Sequence, residues 1–377
     1  MSLPHSHDLA AVLPSLAAAR PAPFTAPRRV AVFRALQLGD MLCAVPALRA
    51  LRRALPDSRI TLIGLPWAAA FASRFAHLVD DFLAFPGFPG LPETAPDLAA
   101  LPDFLAAVHA ARFDAVIQLH GRGDVTNPLA AAFKAPVHAG FVARGAWCAD
   151  PARHAAWPET GHEIVRLLSL IDFLGIARAG TALEFPLSAE ERERAMRVRT
   201  AHGLASAAYV CVHPGARLAS RRWPPERFAG VARRVAALGF RVVVTGSAAE
   251  ATLAARVAHG IPGAVNLAGR TSLGELGGIV AGARLVVCND TGVSHVAAAL
   301  RTPSVVVSCG ADPWRFAPLD RSCHDVLHER MACRPCQHDH CPIGHPCALA
   351  IDVERVCGHV LARLAHATPA QRAVAAR

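Results

Sequence analysis

The apolar run Val286-Val287-Cys288 leads into Asn289-Asp290-Thr291-Gly292-Val293-Ser294-His295, where a strand gives way to a helix of small residues. The first N–H groups of a helix have no partner within it and carry the positive end of its dipole. Such a turn is a phosphate-binding strand end: Gly292 lets an anion approach the backbone, while Asp290, Thr291 and His295 add polar contacts. Leu38-Gly39-Asp40 follows the apolar strand Val30 to Phe33 in the same manner, in the other half of the chain. Asp40 can cap the helix it precedes, or act as a general base that takes a proton from a hydroxyl in a cleft, and one residue can do both. Two such strand ends in two halves place a ligand between domains.

Other strand ends carry further candidates. His213-Pro214-Gly215-Ala216-Arg217 is followed closely by Arg221-Arg222-Trp223-Pro224, and arginines there can clamp a diphosphate with paired bonds or simply sit in a solvated loop. The rigid helix start Trp223-Pro224-Pro225-Glu226 favours the clamp. Thr245-Gly246-Ser247 brings Glu250 to a third turn, where an acidic residue can bond a nucleotide ribose or base. Thr271-Ser272 begins another helix and either borders the same nucleotide pocket or caps that helix. His295 falls one helical turn after Thr291, which predicts a place on the first exposed face, with a satisfied core histidine as the alternative.

Cys333, Cys336, Cys341 and Cys347 lie within one short stretch, interspersed with His338, His340 and His345. Four thiols can meet the tetrahedral demand of a structural zinc, although the spacing departs from the common paired C-x2-C pattern; otherwise this is a thiol-rich loop. Neither makes it the reaction centre.

Strands and helices alternate from residue 28 onward. Val30 to Phe33, a helix from about Met41 to Ala54 and the strand Ile60 to Gly64 form a βαβ unit, and strands follow at Asp114 to Leu119 and Val137 to Val142. The Pro- and Gly-rich stretch from Phe85 to Pro102 reads as a loop near the cleft, and a helix fits Glu163 to Leu174 with Gly175 as its stop. A charged helix over Glu190 to Arg199 opens the second half. Strands are then expected at Tyr209 to His213, Arg241 to Thr245, Val265 to Leu267, Leu285 to Asn289 and Ser304 to Ser308. The fold class is α/β, with two doubly wound Rossmann-like domains facing across a cleft. The expected divisions are an extension at 1–27, a domain at 28–185, a second domain at 186–350 containing the cysteine loop 333–347, and a helix and tail at 351–377.

The chain has 377 residues, 53% of them hydrophobic, yet it lacks the uninterrupted apolar run of a membrane span. Its N-terminus has no basic region followed by an apolar core, and its 11 cysteines without a secretory signal point to a reducing compartment, hence the cytoplasm. The net charge of +10 rests on arginine, since Lys134 is the sole lysine, and favours anionic partners such as nucleotide sugars, phosphorylated lipids or a membrane surface. Scattered arginines and the single Tyr209 argue against nucleic acid.

Taken together, Arg34-Ala-Leu-Gln-Leu-Gly-Asp40-Met-Leu-Cys-Ala-Val-Pro46-Ala-Leu-Arg49 and Asn289-Asp-Thr-Gly-Val-Ser-His295 resemble glycosyltransferase family 9, the ADP-heptose:lipopolysaccharide heptosyltransferases. Asp114 to Gly121, Gly140-Phe141, His213-Pro-Gly-Ala216, Arg222-Trp223-Pro224, the turn Gly269 to Leu273 and the cysteine loop fit that family's order. The resemblance implies a GT-B architecture, with an acceptor domain first and a nucleotide-sugar domain second. It also implies inverting transfer without a catalytic metal or other required cofactor, from an ADP-sugar to a lipopolysaccharide core acceptor at the inner membrane surface. Asp40 would be the base, with Gly39 on the acceptor side, and Arg221, Glu250, Thr271, Asp290, Thr291, Gly292 and His295 would hold the donor. Arg221 stands where members commonly carry lysine, so a planar fork replaces a point donor. Ala35-Leu36-Gln37-Leu38 stands where many members place serine. A nucleotide-sugar epimerase on the same scaffold and a non-catalytic nucleotide- or metal-binding protein are the alternatives.

Overall fold

The computed structural model describes residues 27–365; the extension ahead of them and the tail from residue 366 lie outside the described residues. Two sheets, parallel throughout, organise the chain. The first contains β1 (Arg29–Phe33), β2 (Arg59–Gly64), β3 (Asp81–Ala84), β4 (Ala115–Gln118), β5 (Val137–Val142) and β6 (His154–Ala156), in the order β3-β2-β1-β4-β5-β6. The second contains β7 (Tyr209–His213), β8 (Arg241–Val244), β9 (Val265–Asn266), β10 (Leu285–Asn289), β11 (Ser304–Val307) and β12 (His324–Leu327), in the order β12-β11-β10-β7-β8-β9. Both obey one scheme: three strands run outward, then the chain returns and lays the fourth beside the first. That reversal opens a crevice at the carboxyl ends of β1 and β4, and of β7 and β10, where ligands of doubly wound sheets bind.

Alternation along the central strands sorts side chains between layers. Val30 and Val32 enter one buried cluster while Ala31 and Phe33 enter another, together with Phe85, Phe104 and Phe133. In the second sheet Val286 and Cys288 face inward, whereas Leu285 and Val287 join Trp223, Phe228 and the helix Val353–Ala365. The inward cluster runs unbroken across the domain boundary, from Val30, Leu42 and Leu167 to Tyr209, Val293 and Val296. Its bridge is the helix Leu38–Ala54, buried from Met41 through Leu48, which packs on both Glu163–Phe173 and Gly292–Ala299.

The edge strands β3, β6 and β12 and the helix Leu101–Ala111 add to the elements expected from sequence. Edge positions are covered on fewer sides, so Asp81, His154 and Asp325 are tolerated there and blur the apolar signal. The first helix also begins earlier than the sequence suggests, at Leu38 rather than near Met41, because Gln37 is the last extended residue (φ −81°, ψ 169°). Among the described residues no helix is long and apolar enough to cross a membrane.

Candidate active site

Residues after β1, β4, β7 and β10 line a single cleft of about 360 Å³. It gathers Gly39, Asp40, Arg221, Asp290, Thr291, Gly292 and His295 from the sequence-based candidates. The approach of the two domains is closest where two helix starts meet. A β-carbon at Gly39 would lie 2.7 Å from Cδ2 of His295, and one at Gly292 would lie 3.3 Å from the Leu38 side chain. Glycine is required at Gly39 for this approach rather than for an unusual φ.

Asp40 lies in the first turn of the helix Leu38–Ala54, so the N-cap role falls to Gln37, whose side chain makes no capping bond. This corrects the capping reading of Asp40. Its carboxylate accepts no hydrogen bond among the described residues and is free for a ligand. What is held is the backbone: Arg34 directs Nε (3.0 Å) and Nη2 (2.8 Å) onto the Asp40 carbonyl oxygen. Burial raises the carboxyl above its ordinary range; Arg34 opposes the shift and Glu163 reinforces it.

Opposite, the helix Gly292–Ala299 starts after Thr291, which is extended (φ −153°, ψ 176°) and also makes no side-chain cap. Asp290 is buried and accepts a bond from Ser308 Oγ at 3.1 Å; burial pushes its carboxyl up against the pull of His295. His295 is not on an exposed face. The docked first domain covers it, its Nδ1 lies 3.7 Å from Cys43 Sγ, and burial lowers its pKa, which keeps the imidazole neutral. Arg221 reaches the cleft with a buried Nε that has no partner, and its guanidinium makes no ion pair among the described residues. Buried donors in that condition are costly unless a ligand completes them.

Asn289, fully buried, braces the second crevice. Its amide donates to the carbonyls of Pro214 (2.7 Å) and Gly215 (3.3 Å), and its oxygen accepts from the Trp223 N–H at 2.9 Å. The Arg221-Arg222 segment is thereby tied to the end of β10. Glu250 and Thr271 do not line the cleft. Glu250 follows β8, accepts from the Ser247 N–H at 2.8 Å and lies against Gly215; Thr271 precedes the helix Leu273–Gly282, which Ser272 caps.

Sequence reasoning missed the group beneath Asp40. Glu163, only 2% exposed, receives Arg34 (3.1 Å), Arg166 (2.9 Å) and Arg315 (2.9 Å). Burial alone would raise its carboxyl, but Arg34 and Arg315 foremost hold it down at about 2. Arg315 and Glu163 both line the cleft. A lone arginine directly after an apolar strand was the available signal for Arg34; its carboxylate partner, 129 residues away, left none. His120, after β4, was missed likewise: its Nδ1 accepts from the Ala35 N–H at 3.0 Å, and its Nε2 lies 3.6 Å from Glu93. Glu93 belongs to the Pro- and Gly-rich stretch that the sequence placed near the cleft.

Cys333, Cys336, Cys341 and Cys347 border one small cavity of about 10 Å³, and the Cys341 sulfur accepts from the His345 N–H at 3.2 Å. Among the described residues no group of three or more His, Cys, Asp or Glu side chains is disposed to hold a metal ion.

Comparison with known proteins bears on this site. The family model "Glycosyltransferase family 9 (heptosyltransferase)" matches residues 103–346. Lipooligosaccharide heptosyltransferase 2 of Haemophilus influenzae is 32% identical over 112 residues, 28% of this chain and 32% of that protein. Lipopolysaccharide heptosyltransferase 2 of Escherichia coli K12 is 25% identical over 304 residues, 75% of this chain and 83% of that protein. The match thus spans about a third of the Haemophilus relative's length. In fold, the chain superposes on the E. coli ADP-heptose lps heptosyltransferase II structure with a TM-score of 0.67 at 19% identity, over 89% of this chain and 98% of that one.

Proposed function

This chain belongs to glycosyltransferase family 9, and on that premise we propose that it transfers a heptose or similar sugar from an ADP-sugar to a lipopolysaccharide core acceptor, with inversion at the anomeric carbon. The observation that carries this reading is a pairing of unsatisfied charges. An unbonded carboxylate, Asp40, and an unpaired guanidinium, Arg221, share a cleft into which two uncapped helix starts open.

Asp40 accepts the proton of an acceptor hydroxyl, whose oxygen bonds to the anomeric carbon as the bond to the diphosphate oxygen breaks. The departing ADP leaves with that electron pair. Arg221 and the amides beyond Asp290-Thr291-Gly292 offset its charge, as a preorganised anion site does. With cationic and dipolar groups in that role, the transfer needs no metal. Neutral His295 donates to the same anion; Glu250 and Thr271, outside the cleft and one and two strands along the sheet, are assigned to the nucleoside on the family resemblance alone. Docking of the domains excludes the water that would hydrolyse the donor.

The protein works in the cytoplasm, at the inner face of the membrane that presents the acceptor. A structural zinc on the four cysteines is a separate proposal: one equivalent of zinc per purified chain supports it, and metal-free folded protein overturns it.

Incubation with ADP-heptose and truncated lipopolysaccharide acceptors, read by product mass, tests the reaction; donor consumed without acceptor would point to an epimerase instead. Asp40→Asn is expected to keep donor affinity and lose ~10²- to 10⁴-fold in turnover. Unchanged turnover in that variant removes Asp40 from its role.

A further inference from the structure

Resting on the reading of Asp40 as the base, we propose that Glu163 and Arg315 are positioning residues, a charge bridge between the domains that matches the base to the docked state of the second domain.

The geometry is a relay in three links. Arg34, buried after β1, grips the Asp40 carbonyl with Nε and Nη2 and anchors Nη1 on the Leu119 carbonyl after β4, so it fixes the first helix turn to both central strands. The same Nη2 donates to Glu163 Oε1 at 3.1 Å. The other oxygen of Glu163 accepts from Arg166 and, across the domain boundary, from Arg315 Nε, each at 2.9 Å. Arg315 stands in the helix Pro313–Phe316 after β11, one-third exposed, with its guanidinium carbon 4.8 Å from the Phe316 ring centroid. Beside this bridge, His162 Nε2 donates to the Ala317 carbonyl at 2.7 Å, a second polar link between the same two elements. Three guanidinium groups converge on one buried carboxylate, an excess of positive charge under the base. Moving the second domain would withdraw Arg315 and change that excess by one charge.

Asp40 feels both ends of the bridge with opposite sign: Glu163 raises its carboxyl and Arg315 lowers it, while Arg34 and Arg221 also lower it. The turn facing it contributes Asp290 and the helix after that turn His295, and the remaining wall contributes Glu93, His120 and Arg217. With those groups left in place, the two ends can be removed one at a time.

The pH dependence of turnover in Glu163→Gln and Arg315→Gln tests the bridge. Glu163→Gln removes the negative charge and is expected to move the acid limb to lower pH; Arg315→Gln leaves the Arg34–Glu163–Arg166 cluster intact and is expected to move it to higher pH. Each should lower kcat by about tenfold with donor KM little changed. Limbs that stay put in both variants, with only the melting temperature lowered, would reduce the bridge to scaffold and overturn the proposal. If Glu163→Gln fails to fold, Arg315→Gln alone still decides, since its limb either rises or does not. Asp40→Asn in the same assay separates the two readings: full activity there sinks the base itself, whereas an inactive Asp40→Asn beside unshifted limbs sinks only the bridge.

Discussion

The two helices that open into the cleft begin differently from the helices Ala189–Ala201 and Leu273–Gly282. Ser188 and Ser272 each form a reciprocal capping box, with Glu191 and Glu275, so the first N–H groups of those helices are satisfied within the chain. At the cleft, Gln37 and Thr291 precede their helices without any side-chain cap. A cap is worth ~1 kcal/mol, and the chain forgoes it at the two helix starts that meet between the domains. At these two starts stability is given up where the proposed anion site lies, although other helices, such as Leu101–Ala111 and Pro225–Ala237, also start without a side-chain cap.

The contrast can be broken most severely at the contact between the two cleft helices. Gly39→Ala places a methyl within van der Waals overlap of the His295 ring, a buried group on the other domain, so one side must move. Misalignment of base and anion site is expected to cost ~10²-fold in transfer while the chain stays folded, read by steady-state rates and circular dichroism. Near-normal rates would mean that the domains do not work in this docked arrangement.

A milder intervention exchanges the two kinds of helix start. Gln37→Asp supplies the missing cap and is expected to raise stability by ~1 kcal/mol while weakening transfer roughly fivefold, because the new carboxylate competes with the bound anion. Ser188→Ala is expected to do the reverse, losing ~1 kcal/mol in a denaturant melt with transfer unchanged. Should both variants shift stability and activity together, the uncapped starts have no special purpose.

The smallest effect is a pH dependence of stability shared by both domains. Burial depresses His324, bonded at Nδ1 to Ser304 Oγ at 2.9 Å, from an ordinary 6.5 to about 4. The unfolded chain therefore takes up this proton first, so its contribution is complete above pH 6.5 and declines as pH falls toward 4. Glu163, depressed from 4.5 to about 2, adds a contribution that is complete above pH 4.5 and declines as pH falls toward 2. Melting temperature should thus drop in both windows; a flat profile from pH 6.5 to 4 would contradict the buried neutral His324.

Central strands were legible because apolar runs such as Val286 to Cys288 are buried on both faces and tolerate nothing else. The edge strands were not, since half-covered positions admit Asp81 and Asp325. In the site, Asp40, Arg221 and the Asp290-Thr291-Gly292 turn were legible through their places at strand ends, and the structure brings them into one cleft. Glu163 and Arg315 were illegible because an ion pair has no period and these partners are 152 residues apart.

Local sequence by itself determined the alternation of strands and helices, the family, and which turns carry chemical groups, since these follow from residue types a few positions apart. Tertiary structure alone decided that Gly39 meets His295, that His295 is covered rather than exposed, and that one buried carboxylate gathers arginines from both domains. Those outcomes depend on how two separate sheets dock, and docking is set by surfaces whose members are scattered along the chain.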